Sequence, residues 1–477
     1  MNGQMNKRET KAQREERLRK EKRAQRTGIL ITCFLIIILL AVVGFCIKTN
    51  LVKKKDPDSK DSPVNASVSE AGETNPETQE PDTQAPDEKT SILDKANRLA
   101  AGYDYDKAIE LVKSWPGYES DTDMTSAIAG FEATKGTMVR YEDPSTITHI
   151  FFHSLIVDTS KAFDGDDMQD GYNQVMTTVD EFNKIIQQMY DRGYVLVSIH
   201  DMVKETTNEN GSVTMQPGDI YLPAGKKPFV LSQDDVSYYE YMEGDGFATK
   251  IILQDNGRPT CEMKMDDGTV AVGDYDMVPL LETFIEAHPD FSYRGARGIL
   301  ALTGYNGVLG YRTDEEEYGN LPDYQQQVED AKRVAQGLRD WGWEFASHTW
   351  GHIHMGTVDM ERFKTDTDKW ENRVETIIGE TDILIFPFGE DVGSWYPYAA
   401  DNERVNYLKS VGFNFFCNVD SAQYWVQFGD DYMRQGRRNL DGTRMYWDMM
   451  EVTDKCSDLF DVQSVFDPAR PTPVPKL

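Results

Sequence analysis

Cysteine is scarce in this chain. Five occur in 477 residues (Cys33, Cys46, Cys261, Cys417 and Cys456), and no pair has C-x-x-C spacing. That pattern excludes a disulfide framework; a single bridge is possible, and nothing in the spacing requires one. Basic charge is also in deficit, with 50 Lys+Arg against 81 Asp+Glu and a net charge of −31. Phosphate binding is driven by Lys and Arg, so non-specific nucleic-acid binding by the main body is excluded. Histidine is limited to seven residues, the last being His354. Long uncharged apolar runs are limited to residues 28–47.

What is present suffices for a core. Hydrophobic residues make up 39% and charged residues 27%, which is not the composition of a disordered polyampholyte. The length fits two or three domains, or one large α/β domain with appendages. Charge is unevenly spread. Residues 1–27 hold ten basic and four acidic side chains, a net of +6, and the remaining 450 residues carry −37.

The run at 28–47, GILITCFLIIILLAVVGFCI, has twenty residues without a charge. Twenty helical residues span about 30 Å, the thickness of a bilayer core. No A-x-A site comes after it, and Phe45 precedes Cys46 where a lipoprotein signal has a small residue, so an uncleaved membrane anchor is expected. The basic arm at 1–27 is then cytoplasmic and the acidic body extracellular. Residues 48–90, rich in Ser, Thr, Pro, Asp and Glu, read as a disordered linker. Residues 91–145 have helical periodicity, and GYDYDKAIELV, from Gly102, resembles half of a tetratricopeptide-type hairpin. One such unit cannot form a solenoid and is expected to pack on the domain C-terminal to it. A Pro-rich tail occupies 468–477.

Residues 146–467 alternate between strand and helix patterns. Apolar strands are expected from Ile147, Tyr194, Pro228, Gly298, Glu344, Asp382 and Phe413. An amphipathic helix carries Phe182, Ile185, Ile186, Met189 and Tyr190, and others are expected near 277–287, 324–341 and 404–410. This alternation predicts a parallel β/α fold, either a barrel or a doubly wound sheet. Asn210-Gly211, Asp255-Asn256-Gly257 and Asp266-Asp267-Gly268 mark inserted hairpins.

The residues just after these strands carry chemistry. His153, Asp234-Asp235, His348-x3-His352 and Pro387-Phe388-Gly389 each come directly after an apolar strand. In a parallel β/α fold such positions open on one face. Two imidazoles four residues apart, read as one side of a helical turn, suit a borderline cation such as Zn²⁺, with Asp235 as an oxygen ligand. Each motif alone is a weak signal; their shared position after strands is what joins them.

Together these residues resemble the polysaccharide deacetylases of the NodB-homology class, carbohydrate esterase family 4. LSQDDVSYYEY is similar to that family's T-F-D-D stretch, HTWGH matches its H-[S/T]-x-x-H motif, and FPFG, from Phe386, resembles its R-x-P-[F/Y]-G motif. The resemblance implies an irregular parallel (β/α) barrel. It implies Asp235, His348 and His352 as ligands of a divalent metal, with Zn²⁺ expected, and Asp234 as general base. It places the Phe388 N–H at the oxyanion, beside Pro387; Trp350, inside the H-x3-H motif, is read separately as a residue that lines the cleft. The implied substrate is an N-acetylated cell-surface polysaccharide, peptidoglycan or exopolysaccharide.

Two departures stand out. Ile385 occupies the position of the third-motif Arg, with Arg312, Arg437 or Arg438 as substitutes that the sequence does not rank. No Leu-x-His general acid is present near the C-terminus, because His354 is the last histidine. HIFFHSLIV resembles the Y-H element of a rearranged branch that includes poly-N-acetylglucosamine deacetylases, which makes His153 the candidate acid. The alternative for His153 is a packed strand-end residue. The alternative for the whole chain is a weak or inactive deacetylase fold that binds envelope glycan. His149, His200 and His288 are read as structural or surface residues, and His354 as a neighbour of the ligands. Trp341 and Trp343 are read as core. Tyr238, Tyr239, Tyr241, Trp395 and Tyr396 are read as packing or as sugar contacts.

Overall fold

The computed structural model describes residues 88–209, 213–420 and 425–476. The basic arm, the apolar run at 28–47 and most of the linker lie outside the described residues. Among the described residues, no helix is long and apolar enough to cross a membrane.

Seven strands form the centre: β1 (Thr148–Phe152), β2 (Lys227–Gln233), β3 (Ile299–Leu302), β4 (Glu344–Ser347), β5 (Ile383–Ile385), β6 (Phe415–Val419) and β7 (Met433–Asn439). Every neighbouring pair is parallel, and the ring runs in chain order, β1 to β7 and back to β1. Closure at β2–β3 is short, with Ile299 opposite Ser232 and Leu300 opposite Gln233. The first half of β2 pairs instead with Tyr194–Leu196, which makes the barrel irregular. The strand expected at Tyr194 therefore exists but lies outside the ring.

One barrel strand is invisible to an apolar pattern. β7 reads MRQGRRN, yet Met433 through Arg438 are all buried. Arg434, Gln435, Arg437 and Arg438 are buried because partners elsewhere in the fold satisfy them, which hydropathy cannot register.

Helices cover the outside: α1 (Glu88–Ala101), α2 (Tyr105–Lys113), α3 (Thr122–Lys135), α4 (Val179–Asp191), α5 (Met277–Ala287), α6 (Tyr324–Asp340), α7 (Met360–Trp370), α8 (Glu403–Ser410) and α9 (Gly442–Met449). α4 shows why they form. Thr178 and Glu181 make a reciprocal capping box, and Phe182, Ile185, Ile186 and Met189 recur at helical spacing on the buried face. Burial of each such side chain contributes about 1.5–3 kcal/mol.

The helices α1–α3 share one apolar cluster with the inner barrel face and the strand beside it: Ala96, Ala108, Val112 and Met124 join Ile299, Ile383 and Phe415 of the ring, with Ile147 and Val195 next to it. At the N-terminal side of β3, the Arg294 N–H donates to Gly102 O at 2.7 Å. These helices thus seal the end where strands enter, and leave the opposite end open. The expected inserts are antiparallel: Val203–Thr207 with Val213–Pro217, and Lys250–Leu253, Pro259–Lys264 and Val270–Gly273 as a three-stranded sheet. Cys261, Cys417 and Cys456 are buried and free.

Candidate metal centre

The strand exits bring three ligand-type groups together. Donor atoms of Asp235, His348 and His352 lie within 4.8 Å of one another. Asp235 Oδ2 is 3.9 Å from His352 Nε2 and 4.0 Å from His153 Nε2. Two imidazole nitrogens and a carboxylate oxygen on one side of a strand-end rim form a donor set that suits a borderline divalent cation.

Backbone contacts settle the tautomers. His348 Nδ1 lies 2.8 Å from Ile385 O, and a carbonyl can only accept, so Nδ1 carries a proton and Nε2 is the ring nitrogen turned to the group. His153 is arranged alike: Nδ1–H donates to Val175 O at 3.1 Å, and Nε2 faces Asp235. Burial lowers the His352 pKa to about 4, against the pull of Asp235, so that ring is neutral and able to ligate. Burial disfavours the Asp235 charge, but His348 and His352 hold its carboxyl below the usual carboxylate range.

The HTWGH segment is not the helical turn its spacing suggested. Thr349 and His352 have φ of 60° and 49°, in the left-handed region. A loop results, because Asp366 accepts from the N–H groups of Trp350 at 2.8 Å and Gly351 at 3.0 Å. Thr349 Oγ1 accepts from the Ile353 N–H at 3.1 Å. Asp235 (φ 59°) and Phe388 (φ 58°) are left-handed as well. Such backbone costs on the order of 1–3 kcal/mol per non-glycine residue, and it gathers where a site requires it.

Asp234 sits beside this group, 3% exposed, and forms a two-pronged ion pair. Arg437 Nη1 donates to Oδ1 at 2.6 Å and Nη2 to Oδ2 at 2.9 Å. Burial would raise its pKa, but Arg437 outweighs burial and holds it at about 2. Of the three arginines considered, Arg437 is the one at Asp234. Arg312 donates to Tyr238 O and Asn306 O, and Arg438 pairs with Asp458.

Arg437 also reaches Ser232 Oγ at 3.1 Å, and Ser232 lies 2.9 Å from His149 Nε2. Because His149 Nδ1 faces the Gln435 carbonyl oxygen, the Ser232 hydroxyl donates to Nε2. Burial, with Arg437 adding to it, keeps His149 neutral. This interior network supports Asp234 and makes His149 structural.

The remaining candidates separate. Phe388 is exposed, and its ring meets His352 at 4.4 Å and stacks on His354 at 4.0 Å. Pro387 is buried below it. His354 donates to Glu390 Oε2 at 2.6 Å, so it borders the ligand group through Phe388. Trp350 is half-buried, and its backbone is held by Asp366. Its ring lies under Lys369 Nζ at 3.3 Å, and it lines a hollow of about 530 Å³ with Asp359, Arg362 and Asp366.

Tyr239, at the edge of what the sequence singled out, donates to Asp235 Oδ1 at 2.6 Å. Tyr238 is tied instead to Asp276 at 2.7 Å. Trp343 is core, with Nε1 donating to Glu282 at 2.7 Å. Trp395 and Tyr396 form an exposed stacked pair at 4.1 Å. His288 packs on Tyr190 and Phe284. The residue that sequence reasoning left unranked was Arg437, and its signal was a charged pair inside a segment not recognised as a strand.

Residues 324–416 match the family model described as polysaccharide deacetylase. That segment holds both histidines of the candidate group and the Pro387-Phe388-Gly389 turn, whereas the aspartate pair and His153 come from upstream. No curated protein matches the chain. Solved structures similar to it include a Streptococcus pyogenes deacetylase in complex with acetate, at 12% identity and TM-score 0.33, covering 67% of this chain and 100% of that one. A putative polysaccharide deacetylase from Bacillus anthracis has 10% identity and TM-score 0.32, covering 63% of this chain and 65% of that one. A polysaccharide deacetylase from Bacillus cereus has 10% identity and TM-score 0.33, covering 68% and 70%.

Proposed function

We propose that this chain, which carries a polysaccharide deacetylase domain, is a metal-dependent hydrolase that removes N-acetyl groups from a cell-surface polysaccharide, peptidoglycan or exopolysaccharide. One observation carries the reading. Asp235, His348 and His352 converge at a strand-end rim, beside a carboxylate, Asp234, that is kept charged by Arg437.

Asp235 Oδ2 and the Nε2 atoms of His348 and His352 would hold a divalent cation, Zn²⁺ being the best match to the donor set. When bound, the cation supplies Lewis-acid polarisation of the acetyl carbonyl and acidifies water. Asp234 accepts the proton of the attacking water, with Arg437 fixing its orientation. The Phe388 N–H, on the left-handed turn beside His352, is the donor for the developing oxyanion. His153, its Nδ1–H committed to Val175 O, delivers a proton from Nε2 to the departing amine. An amide needs all three services, being a poor electrophile with a poor leaving group.

The uncharged run at 28–47 and the +6 arm before it support a single-pass anchor with the catalytic domain outside the cell. A linker of about 40 residues then gives a reach of a few tens of Å from the membrane. An exterior glycan suits that placement. The net −37 outside the arm disfavours a strongly anionic one.

The test is acetate release from N-acetylglucosamine oligomers and wall or exopolysaccharide fragments by the full-length protein with added Zn²⁺. Turnover that disappears in Asp234→Asn supports the reading. No acetate above that control, across the substrate panel, sinks it and leaves glycan binding without turnover as the reading to pursue.

A further inference from the structure

The two oxygens of Asp235 have different neighbours. Oδ2 faces His352 and His153 at 3.9 and 4.0 Å, whereas Oδ1 accepts the Tyr239 hydroxyl at 2.6 Å. The partners of Tyr239 fix the direction of that bond. A carboxylate can only accept, so the single phenolic proton goes to Asp235. The Tyr239 oxygen, 2.8 Å from Thr303 Oγ1, must then accept from Thr303. Thr303 has spent its own proton, so the Ser237 hydroxyl at 3.0 Å donates to it. Ser237, Thr303, Tyr239 and Asp235 thus form a one-way chain, and each link strengthens the next.

The ring of Tyr239 has little freedom to leave this position. It is 3% exposed and lies nearly parallel between Tyr305, at 4.8 Å and 8°, and Tyr241, at 5.5 Å and 13°. The backbone before it is pinned in turn. The Val236 N–H donates to Ala301 O at 3.1 Å, and Arg312 Nη2 donates to Tyr238 O at 2.9 Å.

We propose that Tyr239 is a positioning residue that holds Asp235 as a one-oxygen ligand of the cation, with Thr303 and Ser237 setting its hydroxyl. The inference rests on the metal-centre reading above. A carboxylate with both oxygens free can turn to bind a cation through two, which raises the coordination number and takes a position otherwise left to water or substrate. Occupying Oδ1 with a buried phenol prevents that turn. It also links the centre to the exposed Tyr241 face through a single aromatic stack.

The experiment is Co²⁺ titration of the metal-stripped full-length protein, followed by visible absorption and by the dissociation constant, for wild type, Tyr239→Phe, Thr303→Val and Thr303→Ser. Tyr239→Phe keeps the ring stack and deletes the hydroxyl. The expected result is a dissociation constant raised about 10–100-fold with a shifted, weaker visible band. Thr303→Val should move both readouts in the same direction by less, and Thr303→Ser should restore them. A role in packing alone would leave the cobalt band unmoved. If Tyr239→Phe binds Co²⁺ with wild-type affinity and spectrum, the inference is overturned and the metal centre stands. If wild type itself binds no Co²⁺, both fall. If Tyr239→Phe fails to fold, the valine and serine pair decides: a shift restored by serine supports the inference, and equal binding overturns it.

Discussion

Arg437 and Asp234 are 203 positions apart in the chain and form two parallel hydrogen bonds, at 2.6 and 2.9 Å, inside the barrel. The guanidinium reaches the carboxylate from β7, whereas Ile385, on β5, stands where the resembled family has its arginine. Ile385 still serves the site, because its carbonyl accepts from His348. The buried Asp234 carboxylate thus has an arginine partner, supplied by a different strand from the one the resemblance implied.

Removing Arg437 should damage stability and activity together. Arg437→Met leaves a buried charge without its partner, a loss of about 3–5 kcal/mol. Urea unfolding should show that loss for the single variant and a smaller one for Asp234→Asn/Arg437→Met. Acetate release should fall about 10²–10⁴-fold in either. Equal destabilisation of single and double variants would mean that the pair is not the reason.

His153 should matter for the leaving group. His153→Ala is expected to slow N-acetyl hydrolysis about 10²–10⁴-fold, yet to spare most turnover of an aryl acetate, whose phenolate departs without a proton. Parallel assays on both substrates check this. Equal losses on amide and ester would assign His153 to packing, as its edge contact with Phe151 allows.

Metal removal should be reversible and visible in stability. A chelator should abolish acetate release, and Zn²⁺ should restore it. At a cation concentration of about 100 times the dissociation constant, unfolding should become harder by about 2.7 kcal/mol. Calorimetry with and without Zn²⁺ measures this. His348→Ala should lose both the activity and the metal-dependent stabilisation.

A pH signature should come from the opposite end of the barrel. His200 sits between Glu344 and Asp382. Burial works against a charged ring there, but the hydrogen bonds to Asp382 and Glu344 outweigh it and raise the pKa from 6.5 to about 10. A pKa raised by folding means that the charged form stabilises the fold. That contribution is complete below pH about 6.5 and is lost as pH rises toward about 10. The gap in melting temperature between wild type and His200→Gln should therefore be largest in acid and close near pH 10. A constant gap would show that the ion pairs add nothing.

Several features were legible because their signals are local. Short apolar runs mark β1 to β6, and helical spacing marks α4 and α6. Chemistry-bearing residues placed directly after those strands were enough to indicate one shared face, since strand order and direction alone bring strand exits together. β7 escaped because its buried residues are arginines and a glutamine, and patterning assumes that buried means apolar.

Residue type and spacing alone pointed to a parallel β/α fold, to Asp235, His348 and His352 meeting at the strand exits beside Asp234, and to the asymmetry of charge between arm and body; the choice of a barrel came with the family resemblance. Folding in three dimensions selected which arginine meets Asp234, made HTWGH a loop pinned by Asp366, and set the backbone acceptors of His348 and His153 Nδ1 and which oxygen of Asp235 is taken by Tyr239. Those outcomes rest on hydrogen bonds between distant segments. A donor's choice among acceptors is set by where closure of the barrel carries it, and that position is written in no short stretch of chain.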